Sequence, residues 1–214
     1  MAKPSALTPT SYALLGLLAV RSWTTYELAK QVDRTMNRFW PRAKSKLYEE
    51  PKKLVAHGLA RAQSEAHGKR PRTVYTITPA GKRALAEWLT APSAEPVFES
   101  EHLLKVFFAE NGTTDDLRTT LAGLRSWVHE KSVQNVEVGS SYLAGDGPYP
   151  ERLPVLLLTS RFLDDYLEML DRWATWADDL TTDWPDRPAD AEPDLEALAE
   201  TVRHATDRVA RVSE

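Results

Sequence analysis

The sequence predicts a mainly α-helical protein in two halves, the first with three helices, a β-hairpin and a fourth helix, the second with helices alone. Three observations carry this. The hydrophobic period is helical from residue 8 to 57, shifts towards two over residues 59–77, and is helical again from residue 80. Two prolines in Ala91-Pro-Ser-Ala-Glu-Pro-Val-Phe98 interrupt that last pattern and mark a short linker. The charge divides at the same place. Residues 1–90 hold 16 Lys and Arg against 6 Asp and Glu, a net of +10, and the remainder holds 11 against 25, a net of −14. The expected organisation is a domain over 1–90, a linker over 91–98 and a helical domain over 99–214.

The bulk properties narrow the classes. A chain of 214 residues, 42% hydrophobic, can bury one good core or two small ones. It has no cysteine, which removes disulfides, thiolate metal sites and cysteine nucleophiles. Residues 1–10 lack the apolar stretch of a secretory signal. The longest apolar stretches, Ala13–Val20 and Leu153–Leu158, are too short to cross a bilayer. The expectation is a soluble cytoplasmic protein.

Thr8-Pro9 opens the first helix, with threonine as N-cap and proline at the first helical position. Tyr12 to Val20 is apolar almost all round, as a buried helix should be. Arg21-Ser22-Trp23 breaks it. Thr24-x-x-Glu27 is a capping box that opens a second helix to about Met36. Phe39-Trp40-Pro41 reads as an aromatic turn plugging the core between helices. A third helix runs from about Arg42 to His57 and is stopped by Gly58. On a helical wheel Leu47, Pro51, Leu54 and Val55 share one side. Arg42, Ser45, Lys46, Glu49, Lys52 and Lys53 fall on the other.

Leu59–Glu65 and Thr73–Ile77 read as two strands, with His67-Gly68-Lys69-Arg70-Pro71-Arg72 as a basic connection at the hairpin tip. Thr78-Pro79 repeats the helix-start signal, and Ala80–Leu89 forms a fourth helix. This order is that of a winged helix-turn-helix. A helix with an apolar back and a cationic front suits a major groove, and a basic hairpin beside it suits the phosphate backbone. The basic half is then the half that meets a polyanion. The competing reading is a winged helix that binds protein, with a merely solvated basic surface.

The same residues resemble the PadR-like transcriptional regulators. The matching pieces are Tyr12-Ala-Leu-Leu-Gly-Leu-Leu18, Thr25-Tyr26-Glu27-Leu28, Phe39-Trp40-Pro41 and Leu47-Tyr48. They continue with Leu54-x-x-x-Gly58-Leu59 and Arg70-Pro71-Arg72-x-x-Tyr75-x-x-Thr78-x-x-Gly81. The resemblance spans most of residues 8–89. It implies a dimeric repressor whose third helix and wing contact an operator, with Tyr26, Ser45 and Tyr48 near phosphates. The candidate DNA contacts are therefore Thr25, Tyr26, Arg42, Lys44, Ser45, Lys46, Tyr48, Glu49, Lys52, Lys53, Lys69, Arg70 and Arg72. Beyond the linker the chain looks like the longer PadR subgroup with a helical dimerisation domain. One departure stands out. Glu49 follows Tyr48 where the family often has proline, and Pro51 stands where it usually has leucine. Proline there is expected to kink or restart the helix.

The second half reads as helices. Glu101–Glu110 carries Leu103, Leu104, Val106, Phe107 and Phe108, and Asn111-Gly112 ends it. Thr113-Thr114-Asp115-Asp116 starts a helix with Leu117, Leu121, Leu124 and Val128 in register. Ala144–Pro150 is a loop. A helix from Leu153 to Leu180 carries Leu163, Tyr166, Leu170, Trp173, Ala177 and Leu180 on one seam. Thr181–Pro193 reads as an exposed connection. The last helix repeats the seam with Leu195, Leu198, Val202, Ala205, Val209 and Val212. Such seams either pack within the chain or join two copies. A two-fold dimer would set two recognition helices about 34 Å apart and match a palindromic operator.

Chemistry has little support in the sequence. The five histidines lack metal-site spacing, and Asp164-Asp165 and Asp178-Asp179 point in different directions on a helix. No phosphate loop or nucleophile elbow appears, so neither an enzyme, a metal nor a cofactor is expected. Trp88, Phe107, Trp127, Tyr166, Trp173 and Trp176 could line a pocket for a small aromatic effector. Core and interface packing is the competing explanation, and spacing alone favours it. The function expected is a sequence-specific transcriptional repressor that binds duplex DNA as a homodimer and is released by a small aromatic ligand. The alternative is a winged-helix protein–protein interaction module.

Overall fold

The computed structural model describes residues 6–67 and 70–212, with backbone alone at 44, 66, 67, 70, 71 and 212. It divides into two compact units, Met1–Pro96 and Val97–Glu214.

In the first unit, helix α1 (Pro9–Val20) is capped by Thr8 in a reciprocal box with Ser11. Leu14, Leu15, Leu17 and Leu18 are buried on one side of it, whereas Ala19 is exposed. A two-residue strand β1 (Trp23–Thr24) follows, which the sequence did not suggest. It is visible only through its pairing with β3, Trp23 opposite Tyr75. The Trp23 indole N–H donates to the Leu17 carbonyl at 2.8 Å and so stays buried at no hydrogen-bonding loss. Helix α2 (Thr25–Thr35) starts at the Thr24/Glu27 capping box and buries Leu28, Ala29 and Val32.

The turn after α2 differs from expectation. Phe39 is exposed and plugs nothing. Trp40 is half-buried instead, and its indole N–H donates to Thr10 Oγ1 at 3.2 Å. The Arg42 guanidinium lies over the outer face of its ring, 4.1 Å from the centroid. A phenylalanine has no polar edge to satisfy in that position, whereas the indole has one, and it took the half-buried place.

Helix α3 (Lys44–Ala56) is continuous through Pro51, so the proline does not restart it. Pro51 is fully buried. The helix ends in a Schellman motif. Leu59 N–H donates to the Leu54 carbonyl and Gly58 N–H to that of Val55, both at 2.9 Å, with Gly58 at φ +70°. Strands β2 (Ala60–His67) and β3 (Arg70–Ile77) pair antiparallel from Ala60 opposite Ile77 out to His67 opposite Arg70. The hairpin is therefore longer than read from sequence. Ladder pairing overrode the polar composition, so Arg70 and Arg72 belong to β3 and not to a connection. Helix α4 (Pro79–Thr90) is capped by Thr78, whose hydroxyl also donates to the Gly58 carbonyl at 2.8 Å. Gly81 lets α4 approach the β2 entry: a Cβ there would stand 2.2 Å from the Leu59 carbonyl oxygen.

In the second unit, helix α5 (Glu101–Phe107) is followed by a 3-10 turn, Ala109–Asn111. Helices α6 (Thr114–Leu143) and α7 (Leu153–Leu180) form an antiparallel pair. Arg118 bonds Asp178 at 3.0 Å and Arg125 meets Asp171 at 3.5 Å, so the numbering runs oppositely on the two helices. Leu117, Leu121, Leu124 and Val128 bury against Leu167, Leu170, Ala174 and Ala177. The segment after α7 is not simply exposed. Thr114 N–H donates to the Asp186 carbonyl at 2.8 Å and its hydroxyl to that of Pro185, which ties the segment to the start of α6. Helix α8 (Leu195–Val212) closes the chain.

Candidate nucleic-acid interface

The candidate DNA contacts gather on α3 and on the two elements beside it. Leu47, Glu50, Pro51 and Leu54 are buried. Ser45, Lys46, Tyr48, Glu49 and Lys52 stand exposed on the opposite side. That face offers hydroxyl, phenol and ammonium donors, with one carboxylate among them. Arg42, stacked on Trp40, lies just before α3, and its guanidinium also donates to the Pro41 carbonyl. Tyr26, in the first turn of α2, is 65% exposed, and Thr25 beside it is half-buried. The Lys44 backbone opens α3, and its side chain is outside what is described.

Lys53 is placed differently from the wheel. Its side chain is mostly buried, and Nζ lies 3.4 Å from Glu50 Oε1. The wheel gave no hint of this, because a glutamate flanking an apolar stripe reads as solvated. On the wing, Arg72 is exposed and bonds Glu65, its cross-strand partner, at 3.3 Å. Such an exposed pair contributes little to stability, so the guanidinium can exchange partners at small cost. Arg70 sits opposite His67 in the ladder, and Lys69 lies outside the described residues.

Next to this face, Glu27 is a carboxylate whose charged form its neighbours favour. The Thr24 backbone N–H donates to it at 2.8 Å, the Thr24 hydroxyl does the same, and Arg21 is 3.5 Å away. The N–H bond foremost, with the hydroxyl and Arg21 behind it, holds its carboxyl below the usual carboxylate value.

Residues 14–87 match the model of the Transcriptional regulator PadR-like family. Over these residues the first unit is similar to that family. The chain also aligns with the Negative transcriptional regulator PadR of Bacillus subtilis (strain 168), at 31% identity over 99 residues. That alignment takes in 45% of this chain and 54% of the relative, so it spans about half of the relative's length. Two crystal structures of Bacillus subtilis PadR share the fold over most of the chain. The complex with operator DNA superposes at TM-score 0.65 and 20% identity, covering 80% of this chain and 98% of that one. The complex with p-coumaric acid gives 0.52 and 22%, covering 81% and 99%. At these identities the likeness carries the fold. The PadR-like unit is thus a winged helix followed by further helices, and its relatives are transcriptional regulators.

The aromatic residues singled out for an effector separate into different settings. Trp88 belongs to the PadR-like unit and stacks on Tyr12, ring centroids 5.0 Å apart and 4° from parallel. Trp127, Tyr166 and Trp173 all pack against the α6–α7 core. Tyr166 meets Phe98 edge-on at 6.2 Å, and burial raises the pKa of its phenol. Phe107 is exposed and edge-on to Phe108. Trp176 opens on a groove of about 340 Å³ between the end of α7 and the start of α8. Trp184 faces the same groove, with Pro188, Leu198, Glu192 and Asp194. Trp184 was missed because it lies in a proline-rich acidic stretch that has the composition of a connection. Among the described residues no group of His, Asp and Glu could hold a metal ion, and no helix is long and apolar enough to cross a membrane.

Proposed function

We propose that the protein is a sequence-specific DNA-binding transcriptional regulator, acting as a repressor on a palindromic operator as a homodimer. The observation that carries this is the exposed donor face of α3, Ser45, Lys46, Tyr48 and Lys52, on a PadR-like winged helix. A structural neighbour of the same fold was solved with operator DNA. In this reading α3 enters the major groove. Tyr26, Arg42 and Arg72 hold the backbone and set the register, and the α3 side chains meet base edges.

Self-association follows from the second unit. Apart from Ala197, every described side chain of α8 is exposed, including Leu195, Leu198, Val202 and Val209 on one stripe. No residue of 129–143 or 153–166 is fully buried in the α6–α7 pair, and Val136, Leu143, Leu157, Leu158 and Phe162 are exposed there. Apolar surface on this scale marks an interface. A second copy is the occupant because a two-fold pair brings two α3 helices to successive major grooves, about 34 Å apart.

A small aromatic ligand is the proposed release signal, and the Trp176–Trp184 groove is where it enters. The groove walls carry two carboxylates and no lysine, arginine or histidine. An uncharged aromatic ring suits them better than an anion does.

The test is titration with duplex DNA flanking the protein's own gene, across salt and against random duplex. Discriminating binding that weakens with salt is expected. Arg72→Ala and Arg42→Ala should each lower the salt slope by about 0.9 for every phosphate left without its cation. Equal affinity for both duplexes, or variants that keep the full slope, would refute it.

A further inference from the structure

Glu50 is buried, on the recognition helix, and has no part in the contacts above. A carboxylate taken out of water costs several kcal/mol unless it is paired and hydrogen-bonded. Its partners are specific. The Ser11 hydroxyl, fully buried on α1, donates to Glu50 Oε2. Lys53 Nζ meets the other oxygen at 3.4 Å. The same Ser11 Oγ accepts the Thr8 backbone N–H at 3.0 Å and so completes the α1 capping box. A hydroxyl has one proton and two lone pairs, and here the proton goes to Glu50 while a lone pair serves Thr8. One oxygen atom therefore joins the N-terminus of α1 to the middle of α3.

We propose that Ser11 and Glu50 are positioning residues that fix the roll of α3 on α1; the proposal rests on the DNA-binding reading. The buried side chains Leu47, Pro51 and Leu54 of α3 offer apolar surface, whose attraction is non-directional. Leucine and proline surfaces tolerate a roll of the helix, whereas a charge-assisted hydrogen bond does not. The latch also lies beside Pro51, which has no N–H for the Leu47 carbonyl, so α3 is least self-supporting where the side chains tie it down. The donor face lies across the helix from the latch. With side chains a helix is about 5–6 Å in radius, so a roll of about 20° carries a surface group about 2 Å. That is enough to break a base-edge hydrogen bond, whose range is about 2.7–3.2 Å. A lysine near a phosphate tolerates the same movement, because Coulomb attraction falls off slowly with distance. Loss of the latch should therefore cost discrimination before it costs general affinity.

The experiment uses the full chain and three variants, Ser11→Ala, Glu50→Leu and Glu50→Gln. Each is measured for helicity, for affinity to the protein's own flanking duplex and for affinity to random duplex at fixed salt. Ser11→Ala and Glu50→Leu are expected to lower the ratio of the two affinities about tenfold, the worth of one or two base-edge bonds. Random-duplex affinity and the salt slope should stay at wild-type values. Glu50→Gln keeps an oxygen for the Ser11 hydroxyl and should retain most of the ratio. Ser11→Ala removes a single oxygen, so it carries the test if Glu50→Leu does not fold. A folded Ser11→Ala protein with the wild-type ratio overturns the positioning role. So does an equal fall in both affinities, which is the mark of a structural role alone. A wild-type protein that does not discriminate refutes the DNA-binding reading before any variant is compared, and the positioning role with it.

Discussion

Replacing Val202 with aspartate tests whether α8 joins two copies of the chain. Leu195, Leu198, Val202 and Val209 are 71, 57, 56 and 69% exposed. Full burial of a leucine or valine side chain is worth about 1.5–3 kcal/mol. The exposed fractions leave roughly 1.3 kcal/mol to gain at each position, or about 5 kcal/mol per helix. A two-fold interface counts every residue twice, so the four supply about 10 kcal/mol. Association costs about 4–15 kcal/mol, which makes the balance close and the dimer sensitive to one position. Val202→Asp forfeits about 2.5 kcal/mol of burial over the two copies, roughly 70-fold in the dimer dissociation constant. Desolvating two carboxylates adds to that. Sedimentation equilibrium across micromolar concentrations reads the shift. Arg211→Ala, on the other side of α8, serves as the control and should leave it in place. A Val202→Asp protein that associates as the wild type does would refute the assignment of α8 to the interface.

Three further outcomes follow from single contacts. Gly81→Ala places a Cβ 2.2 Å from the Leu59 carbonyl oxygen and 2.9 Å from Ile77 Cγ1. Thermal unfolding should show a loss of about 1–3 kcal/mol, whereas Gly16→Ala, with nothing within 4 Å, should gain about 0.5–1 kcal/mol; equal effects would deny the close approach of α4. The folded pKa of Glu27 is depressed, so its stabilisation is present above the ordinary carboxylate value and is lost as pH falls through the folded one. The melting difference between wild type and Glu27→Gln should be full at neutral pH and vanish in strong acid, and a constant difference would contradict the capping-box account. Replacing both groove tryptophans, Trp176→Phe with Trp184→Phe, should remove the fluorescence change that a neutral phenol produces, while a phenolic carboxylate should produce little change even in the wild type; quenching by the carboxylate would place the ligand elsewhere.

Much of the first unit was legible because its signals are local. Thr8-Pro9, Thr24-x-x-Glu27 and Thr78-Pro79 each start a helix where they should, and Gly58 stops one. The exposure of Ser45, Lys46 and Lys52 on α3 was legible too, since a wheel needs only the sequence, but the burial of Lys53 was not. What stayed hidden depends on partners far along the chain. Trp23–Thr24 is a strand only by virtue of Tyr75 and Val74. Glu50 reads as a solvated glutamate until Ser11, 39 residues away, supplies a proton. The outer hairpin residues His67 and Arg70 carry no β pattern of their own and are strand because the ladder extends to them. Thr181–Pro193 has the composition of a free connection, and only the bonds from Thr114 show that it packs. Pro51 marks the opposite limit. Its lost backbone bond is a local cost, and burial in the core accommodates it without breaking the helix.

The charge partition gives the two proposed associations opposite responses to salt. Residues 1–90 carry +10 and attract a phosphate backbone, and added salt weakens that attraction by competing for the condensed counterions. Residues 91–214 carry −14, so two copies of the second unit repel each other as they approach. Their association then has to come from the exposed leucines and valines of α6, α7 and α8, and salt helps by screening the repulsion. The Debye length falls from about 30 Å at 0.01 M to about 8 Å at 0.15 M, the range over which repulsion between whole domains is lost. Raising salt across this interval should therefore tighten the dimer while it loosens the DNA complex. Sedimentation and DNA titration over the same salt series read the two slopes independently. A dimer that weakens with salt would mean that ion pairs, and not the apolar stripes, hold the copies together.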